Sequence, residues 1–144
     1  MSDKRQRGQT PLSLARSAGG WPDVDVVMPI RNEAEHLHAA VAAVRSQEYP
    51  GVLRIFLGVA PSTDGTEAVA ESLAGDDLVV VPNPAGTTPA GLNAAIRAGS
   101  APVVVRVDGH SELSPGYVRR AVATMQSTGA VNVGGRQVPA PTTP

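Results

Sequence analysis

The sequence predicts an α/β domain: a single, mostly parallel sheet flanked by helices. Three observations carry that expectation. Short apolar runs rich in valine recur over residues 24–30, 52–59, 78–81 and 103–107. Between them lie segments with apolar residues at helical spacing, led by Asn, Thr or Ser. Finally, the runs are largely apolar rather than strictly alternating, as strands covered on both faces require, and parallel strands need helical crossovers to return. Such crossovers are right-handed.

Each element has its own signals. The first strand, residues 24–30, carries Pro29 near its end. Asn32 is a candidate cap for the next helix. Glu33 and Glu35 would then fall in its first turn, where carboxylates suit the positive end of the helix dipole. Leu37, Val41 and Val44 recur on one face, and Tyr49-Pro50-Gly51 ends the helix and turns the chain. The second strand, 52–59, runs into Pro61-Ser-Thr-Asp-Gly-Thr66, a turn with several capping groups. Val69 and Leu73 mark a short helix beyond it. The third strand, 78–81, leads through a loop to Thr88-Pro89, a helix start with proline at the first helical position. Leu92, Ala95 and Ile96 are its expected buried face and Gly99 its end. The fourth strand, 103–107, delivers Asp108-Gly109-His110 into a loop. Ser114-Pro115 opens a helix carrying Val118, Val122 and Met125, and Val131 and Val133 begin a last strand.

Composition narrows the function. The 144 residues suffice for one domain with a core. Twelve basic against thirteen acidic residues give no charged face for nucleic acid. Four aromatics offer no stacking platform for single strands. Without cysteine there is no disulfide, thiolate metal site or thiol nucleophile. No apolar run reaches the roughly 20 residues of a membrane span. Residues 1–22 read as a disordered lead-in, basic at Lys4, Arg5 and Arg7 but with no apolar signal core after them. Residues 23–138 read as the folded domain and 139–144 as a Pro-rich tail.

Asp108 is the leading chemical candidate. A buried strand that ends in a carboxylate places it at the carboxyl edge of the sheet, where open α/β sheets bind ligands. It reads as a divalent-metal ligand, with His110 as a second ligand or its support; an Asp-Gly turn is the structural alternative. A magnesium ion needs only one or two carboxylates when the ligand brings phosphates. Arg31 could pair with phosphate and Glu33 accept from a base or ribose, or both could be a surface residue and a dipole partner. Arg106, alternating within its strand, reaches the crevice rim or pairs with an acid. Asn93, one turn into its helix, faces a ligand or solvent. Asp64 contacts a ligand at the same edge or simply shapes its turn, the reading that Asp-Gly and Thr66 favour. The loop 84–88 offers amides at a helix N-terminus, a natural anion site. Gly-rich dinucleotide, P-loop and nucleophile-elbow motifs are all missing, and the one lysine is Lys4.

In order, these pieces resemble the family 2 glycosyltransferases, which have the glycosyltransferase A fold. Val26-Val-Met-Pro-Ile-Arg-Asn-Glu33 looks like that family's first strand and its Pro-x-x-Asn-Glu signature. Ser62-Thr-Asp-Gly-Thr66 matches the start of its second helix, and Gly91-Leu-Asn-Ala-Ala-Ile96 its third. Val107-Asp-Gly-His110 falls where the family carries an Asp-x-Asp metal motif, with Pro115-Gly-Tyr117 in register beyond. The variant is similar to the bacterial exopolysaccharide, succinoglycan-type branch.

The resemblance implies a Rossmann-like sheet whose edge binds a nucleotide-diphosphate sugar. Pro29 and Glu33 would lie along the nucleoside, Asn93 near the ribose or diphosphate, and Asp108 on Mg²⁺ or Mn²⁺ bridging the phosphates. The sugar would pass to a polysaccharide or lipid-linked acceptor, in the cytoplasm or at the inner membrane face for a longer parent. Two departures stand out: His110 replaces the second Asp, and Val59 and Ala60 replace an acidic pair that contacts the base. The chain also stops before the half that carries the acceptor site and catalytic base, so an incomplete domain is expected and no catalytic base is assigned. Two rivals remain: a truncated, non-catalytic nucleotide-binding module, and a nucleotidyltransferase, for which Arg31-Asn32-Glu33 poorly replaces a Gly-rich basic phosphate loop.

Overall fold

The structure, a computed structural model, describes residues 20–139. The expected lead-in and tail fall largely outside them. Trp21 and Pro22, counted with the lead-in, belong to the fold. The Trp21 ring meets Tyr49 edge-on with centroids 5.7 Å apart, and the Tyr49 hydroxyl donates to the Pro22 carbonyl at 2.5 Å.

Strands and helices alternate: β1 (Val24–Ile30), α1 (Leu37–Arg45), β2 (Leu53–Val59), α2 (Thr66–Leu73), β3 (Leu78–Pro82), α3 (Thr88–Ala98), β4 (Val103–Arg106) and α4 (Tyr117–Thr128). The four strands form one sheet in the order β3-β2-β1-β4, parallel throughout. The chain thus steps outward from β1 to β3, then returns to place β4 on the other side of β1. The β3–β4 crossover α3 packs on the face opposite α1 and α2, so the strand order reverses beside β1, and a crevice opens at the carboxyl ends of β1 and β4. The ladders widen it: β1 pairs with β2 as far as Ile30↔Val59, but with β4 only to Val27↔Arg106.

Burial on both faces explains the apolar strands. One face of β1 (Val24, Val26, Met28, Ile30) joins Ile55, Leu57, Leu78 and Val103 in the main core, closed by Leu37, Val41 and Val44 of α1 and Val118 and Val122 of α4. On the other face Val27 and Phe56 meet Ala95 of α3 in a smaller cluster. That cluster is small because α3 sits very close to the sheet. A Cβ on Gly58 would collide with the Gly91 carbonyl, so two glycines allow the helix to rest on β2. Its N-terminus is thereby brought beside the strand tips.

An acid interrupts this apolar pattern. Asp25, 2 % exposed, accepts the amides of Ser100 and Ala101 through Oδ2, both at 2.7 Å. Arg54 Nη2 lies 3.2 Å from Oδ1 without hydrogen-bonding geometry. Asp25 therefore ties the α3–β4 connection to the central strand.

Several expected boundaries shift. The first helix starts at Leu37, not after Asn32, because Asn32 takes a left-handed conformation (φ 51°) and Glu33 O accepts the His36 and Leu37 amides. Thr87 caps α3 by accepting from Ala90, which moves Pro89 to the second helical position. On α3, Ala95 is buried and Leu92 packs against its cluster as expected, but Ile96 is 46 % exposed and Gly91 joins the buried face in its place. The fourth helix begins at Tyr117 behind Gly116 (φ 71°), after the expected Ser114 start. The strand expected from Val131 does not form among the described residues. Val131 is 88 % exposed, so it has no burial to hold it against a neighbour.

Candidate functional site

The crevice at the strand tips has a volume of about 340 Å³. The β1 end contributes Pro29, Arg31 and Glu33, the β4 end Arg106, Asp108, Gly109 and His110. Ala60 follows β2, and Asn83, Thr87 and Thr88 come from the β3–α3 loop. Six of the eight sequence-derived candidates thus meet in one place, although β1 and β4 lie far apart in the chain.

Two side-chain pairs dominate the site. Arg106 donates from Nε and Nη2 to Asp108 Oδ1, at 3.2 and 3.1 Å. His110 Nδ1 lies 3.0 Å from Glu33 Oε1, bridging the β1 and β4 loops. Glu33 is the more enclosed partner, its side chain 18 % exposed against 62 % for His110. Gly109 makes this contact possible: a Cβ there would stand 2.7 Å from Ile30 Cδ1 and 2.9 Å from Glu33 Cγ. With hydrogen at that position, the Glu33 side chain lies directly against the β4 loop.

The third wall is built by Asn83, 4 % exposed. Its amide donates to the Thr87 carbonyl at 2.9 Å and its oxygen accepts from Gly86 at 3.3 Å. The side chain folds its own loop and sets the start of α3 against the crevice. Asn83 was passed over in the sequence. Its signal was an amide placed directly after an apolar strand and ahead of Pro84-Ala-Gly86, the pattern of a side chain that shapes a turn.

Two candidates lie elsewhere. Asn93 is exposed on α3 and outside the crevice lining, because Gly91 and Ala95 turn the opposite side of that helix to the sheet. Asp64 is also outside the lining. It accepts from the Ala34 and Thr66 amides and from the Thr66 hydroxyl, so it is a loop-building group. The Thr66 hydroxyl, with further help from those amides, holds its carboxyl below the usual carboxylate range. His36 and His38 are exposed.

The donor set bears on which metal chemistry fits. Among the described residues no group of three or more His, Asp or Glu could hold an ion by itself. Asp108 is the one carboxylate at the β4 tip, and His110 spends Nδ1 on Glu33. One carboxylate fits a magnesium-like ion only when a ligand supplies further oxygens, as a diphosphate does.

Known proteins are similar to this chain in sequence and in fold. Residues 25–143 match the family model described as glycosyl transferase family 2. The chain belongs to that family. An N-acetylglucosaminyltransferase of Mesorhizobium japonicum is 34 % identical over 112 residues, 74 % of this chain and 26 % of the relative. The succinoglycan biosynthesis protein ExoA of Rhizobium meliloti is 33 % identical over 113 residues, 75 % of this chain and 34 % of the relative. The chain therefore spans about a quarter to a third of these relatives' length. The mannosyltransferase PcManGT of Pyrobaculum calidifontis, solved in complex with GDP-Man and Mn²⁺, superposes with a TM-score of 0.61 at 28 % identity, covering 81 % of this chain and 35 % of that one. The sheet of this family 2 domain is accordingly of the glycosyltransferase A type. No described helix is long and apolar enough to cross a membrane.

Proposed function

We propose that this family 2 domain binds a nucleotide-diphosphate sugar in the crevice at the tips of β1 and β4, for transfer of the sugar to a polysaccharide or lipid-linked acceptor. The convergence of Arg31, Glu33, Arg106, Asp108 and His110 at the switch point of a parallel sheet carries this reading. Pro29 and Ala60 give the nucleoside a mainly apolar wall. Arg31 and Arg106 are the cations within reach of a diphosphate, and the start of α3 directs amides toward the same space. Asp108 would hold Mg²⁺ or Mn²⁺ jointly with the diphosphate. A cation so held would offset charge developing on the leaving group.

The protein's own contribution is then orientation. Arg106, paired with Asp108 at the crevice, is placed to turn its guanidinium to a phosphate oxygen. Glu33 is fixed between its backbone ties and His110, so its carboxylate is a set acceptor for a ribose or base donor. Glu33, Asp108 and His110 are the acid–base groups of the lining, and all three are engaged in these pairs. That observation favours donor binding over proton abstraction as the task of this segment, so a general base for the acceptor hydroxyl is not assigned to it.

Titration calorimetry with UDP, GDP and their sugars, with and without Mn²⁺, tests the proposal. Saturable nucleotide binding strengthened by Mn²⁺ is expected. A folded sample that binds neither nucleotide under any metal condition would overturn it.

A further inference from the structure

Each backbone N–H of residues 32–34 is taken by a side chain from the turn before α2 or from the first residue of that helix. Asn32 donates to Ser62 Oγ at 3.1 Å, Glu33 to Thr66 Oγ1 at 2.9 Å and Ala34 to Asp64 Oδ2 at 3.1 Å. In return the Thr63 amide donates to Asn32 Oδ1 at 2.8 Å. These bonds replace a secondary-structure ladder across about thirty residues of sequence. They also hold the left-handed turn at Asn32.

The hydroxyl of Thr66 decides the geometry. Thr66 is fully buried, and a hydroxyl has one proton to give. That proton goes to Asp64 Oδ1, which also accepts the Thr66 amide at 3.1 Å. With its proton committed there, Thr66 Oγ1 presents a lone pair to the Glu33 amide. The Glu33 carbonyl is taken by the His36 and Leu37 amides at 3.0 and 2.9 Å. Glu33 is thus gripped at both ends of its backbone, with its side chain against Gly109 and its carboxylate on His110.

We propose that Thr66, oriented by Asp64, is a positioning residue that sets Glu33 against His110 and so couples the β1 and β4 loops across the donor crevice. Asp64 and Thr66 act without touching the ligand. The coupling itself stands on contacts within this chain; its effect on nucleotide affinity rests on the donor-site reading above.

Thr66→Val removes the hydroxyl while keeping the branched shape, and Thr66→Ser restores it. Nuclear Overhauser contacts between the His110 ring and the Glu33 side chain, read at fixed pH in the 144-residue chain, report the coupling directly. Thr66→Val should lose these contacts and speed hydrogen exchange of the Glu33 amide, while Thr66→Ser keeps both near the parent. Nucleotide affinity should fall about tenfold in the valine variant, as for other supporting partners of a binding group. Arg45→Met is the matched control. It breaks a similar loop tie, Arg45 to Asp77 at 2.8 Å and to the Leu73 carbonyl at 2.8 Å, so it should lower stability and leave the Glu33–His110 contacts intact. If the valine variant does not fold, Asp64→Asn serves, since its amide cannot accept from both Thr66 and Ala34. Contacts retained in every folded variant, or lost equally in Thr66→Ser or Arg45→Met, would overturn the proposal. Failure of the parent to bind any nucleotide would instead sink the donor-site reading and leave the contact arm to judge the coupling.

Discussion

Asp25→Ala tests how the central strand is anchored. The carboxylate is 2 % exposed and takes two backbone amides at 2.7 Å through a single oxygen. A hydrogen bond to a charged group contributes about 1.5–3 kcal/mol, so the two together stabilise by about 3–6 kcal/mol. Arg54 adds little, because its side chain is 38 % exposed and its geometry is poor; such pairs give at most about 1 kcal/mol. The alanine variant should therefore lose about 4 kcal/mol, a large share of the 5–15 kcal/mol typical of a domain. Asp25→Asn separates charge from geometry. Its single carbonyl can occupy the Oδ2 position and still accept both amides, but neutral acceptors bind about half as strongly. Its loss should be about 2 kcal/mol. Urea unfolding followed by fluorescence of Trp21, the one tryptophan of the chain, packed on Tyr49, gives both numbers. A loss under about 1 kcal/mol for the alanine variant, below even one such bond, would refute the reasoning. So would an asparagine variant as unstable as the alanine one.

Asp108→Asn should abolish the Mn²⁺-dependent part of nucleotide binding in calorimetry with little change in melting temperature; undiminished Mn²⁺ dependence would remove Asp108 from the metal role. Gly58→Ala and Gly109→Ala should part company, because the first Cβ meets the Gly91 backbone whereas the second meets only side-chain atoms, Ile30 Cδ1 and Glu33 Cγ, which can shift more readily than backbone. The first should cost about 1–3 kcal/mol or more of stability by overpacking. The second should spare stability but weaken nucleotide binding, and equal melting temperatures for the two would contradict this. Burial chiefly, with the nearby Asp23 charge, pushes the Tyr49 hydroxyl from 10.0 up to about 12. A raised folded value contributes stability that is complete below the ordinary pKa and lost as pH climbs through the folded one. Tyr49→Phe should flatten alkaline unfolding between those limits, and an unchanged alkaline limb would exclude this source.

The strands were legible because burial on both faces leaves a local mark, an apolar run that needs no knowledge of partners. Helix starts were less so. The true beginning of α1 depends on a left-handed Asn32 held by Ser62 and Thr63, contacts that only the folded chain makes. On α3 the apolar pattern held at Leu92 and Ala95 and misled at Ile96. Gly91 and Ala95 are the residues that touch the sheet, but small side chains carry little hydrophobic signal, so the larger Ile96 was read as buried. Asn93, expected near the ligand, lies outside the crevice lining, whereas Asn83, read only as the start of a loop, is part of it. Site residues at the strand tips were visible one by one, since a polar residue ending an apolar run stands out. Their pairing was not: Glu33 and His110 meet across 77 positions, and only the placement of β4 beside β1 brings them together.

That pairing has a consequence for what the crevice can accept. Its lining holds Arg31 and Arg106 against Glu33 and Asp108, with His110 beside Glu33, so the formal charges nearly cancel. A ligand bringing only negative charge must displace Arg106 from Asp108 and leave that carboxylate facing phosphate, a like-charge contact that opposes binding. A diphosphate entering with a divalent cation would avoid that penalty: Asp108 would hold the cation in place of Arg106, which would then be free to pair with phosphate. The requirement for a cation would then arise from the charge balance of this site and not from a preformed cage, which agrees with the lack of a three-ligand cluster among the described residues. Arg106→Gln distinguishes the two origins. If charge exchange governs, the variant should bind Mn²⁺ alone more tightly than the parent, because Asp108 has lost its internal partner, yet bind the nucleotide–Mn²⁺ pair more weakly. Manganese binding followed by electron paramagnetic resonance measures the first and calorimetry the second. A variant weakened for both would show that Arg106 supports the cation site and does not compete with it.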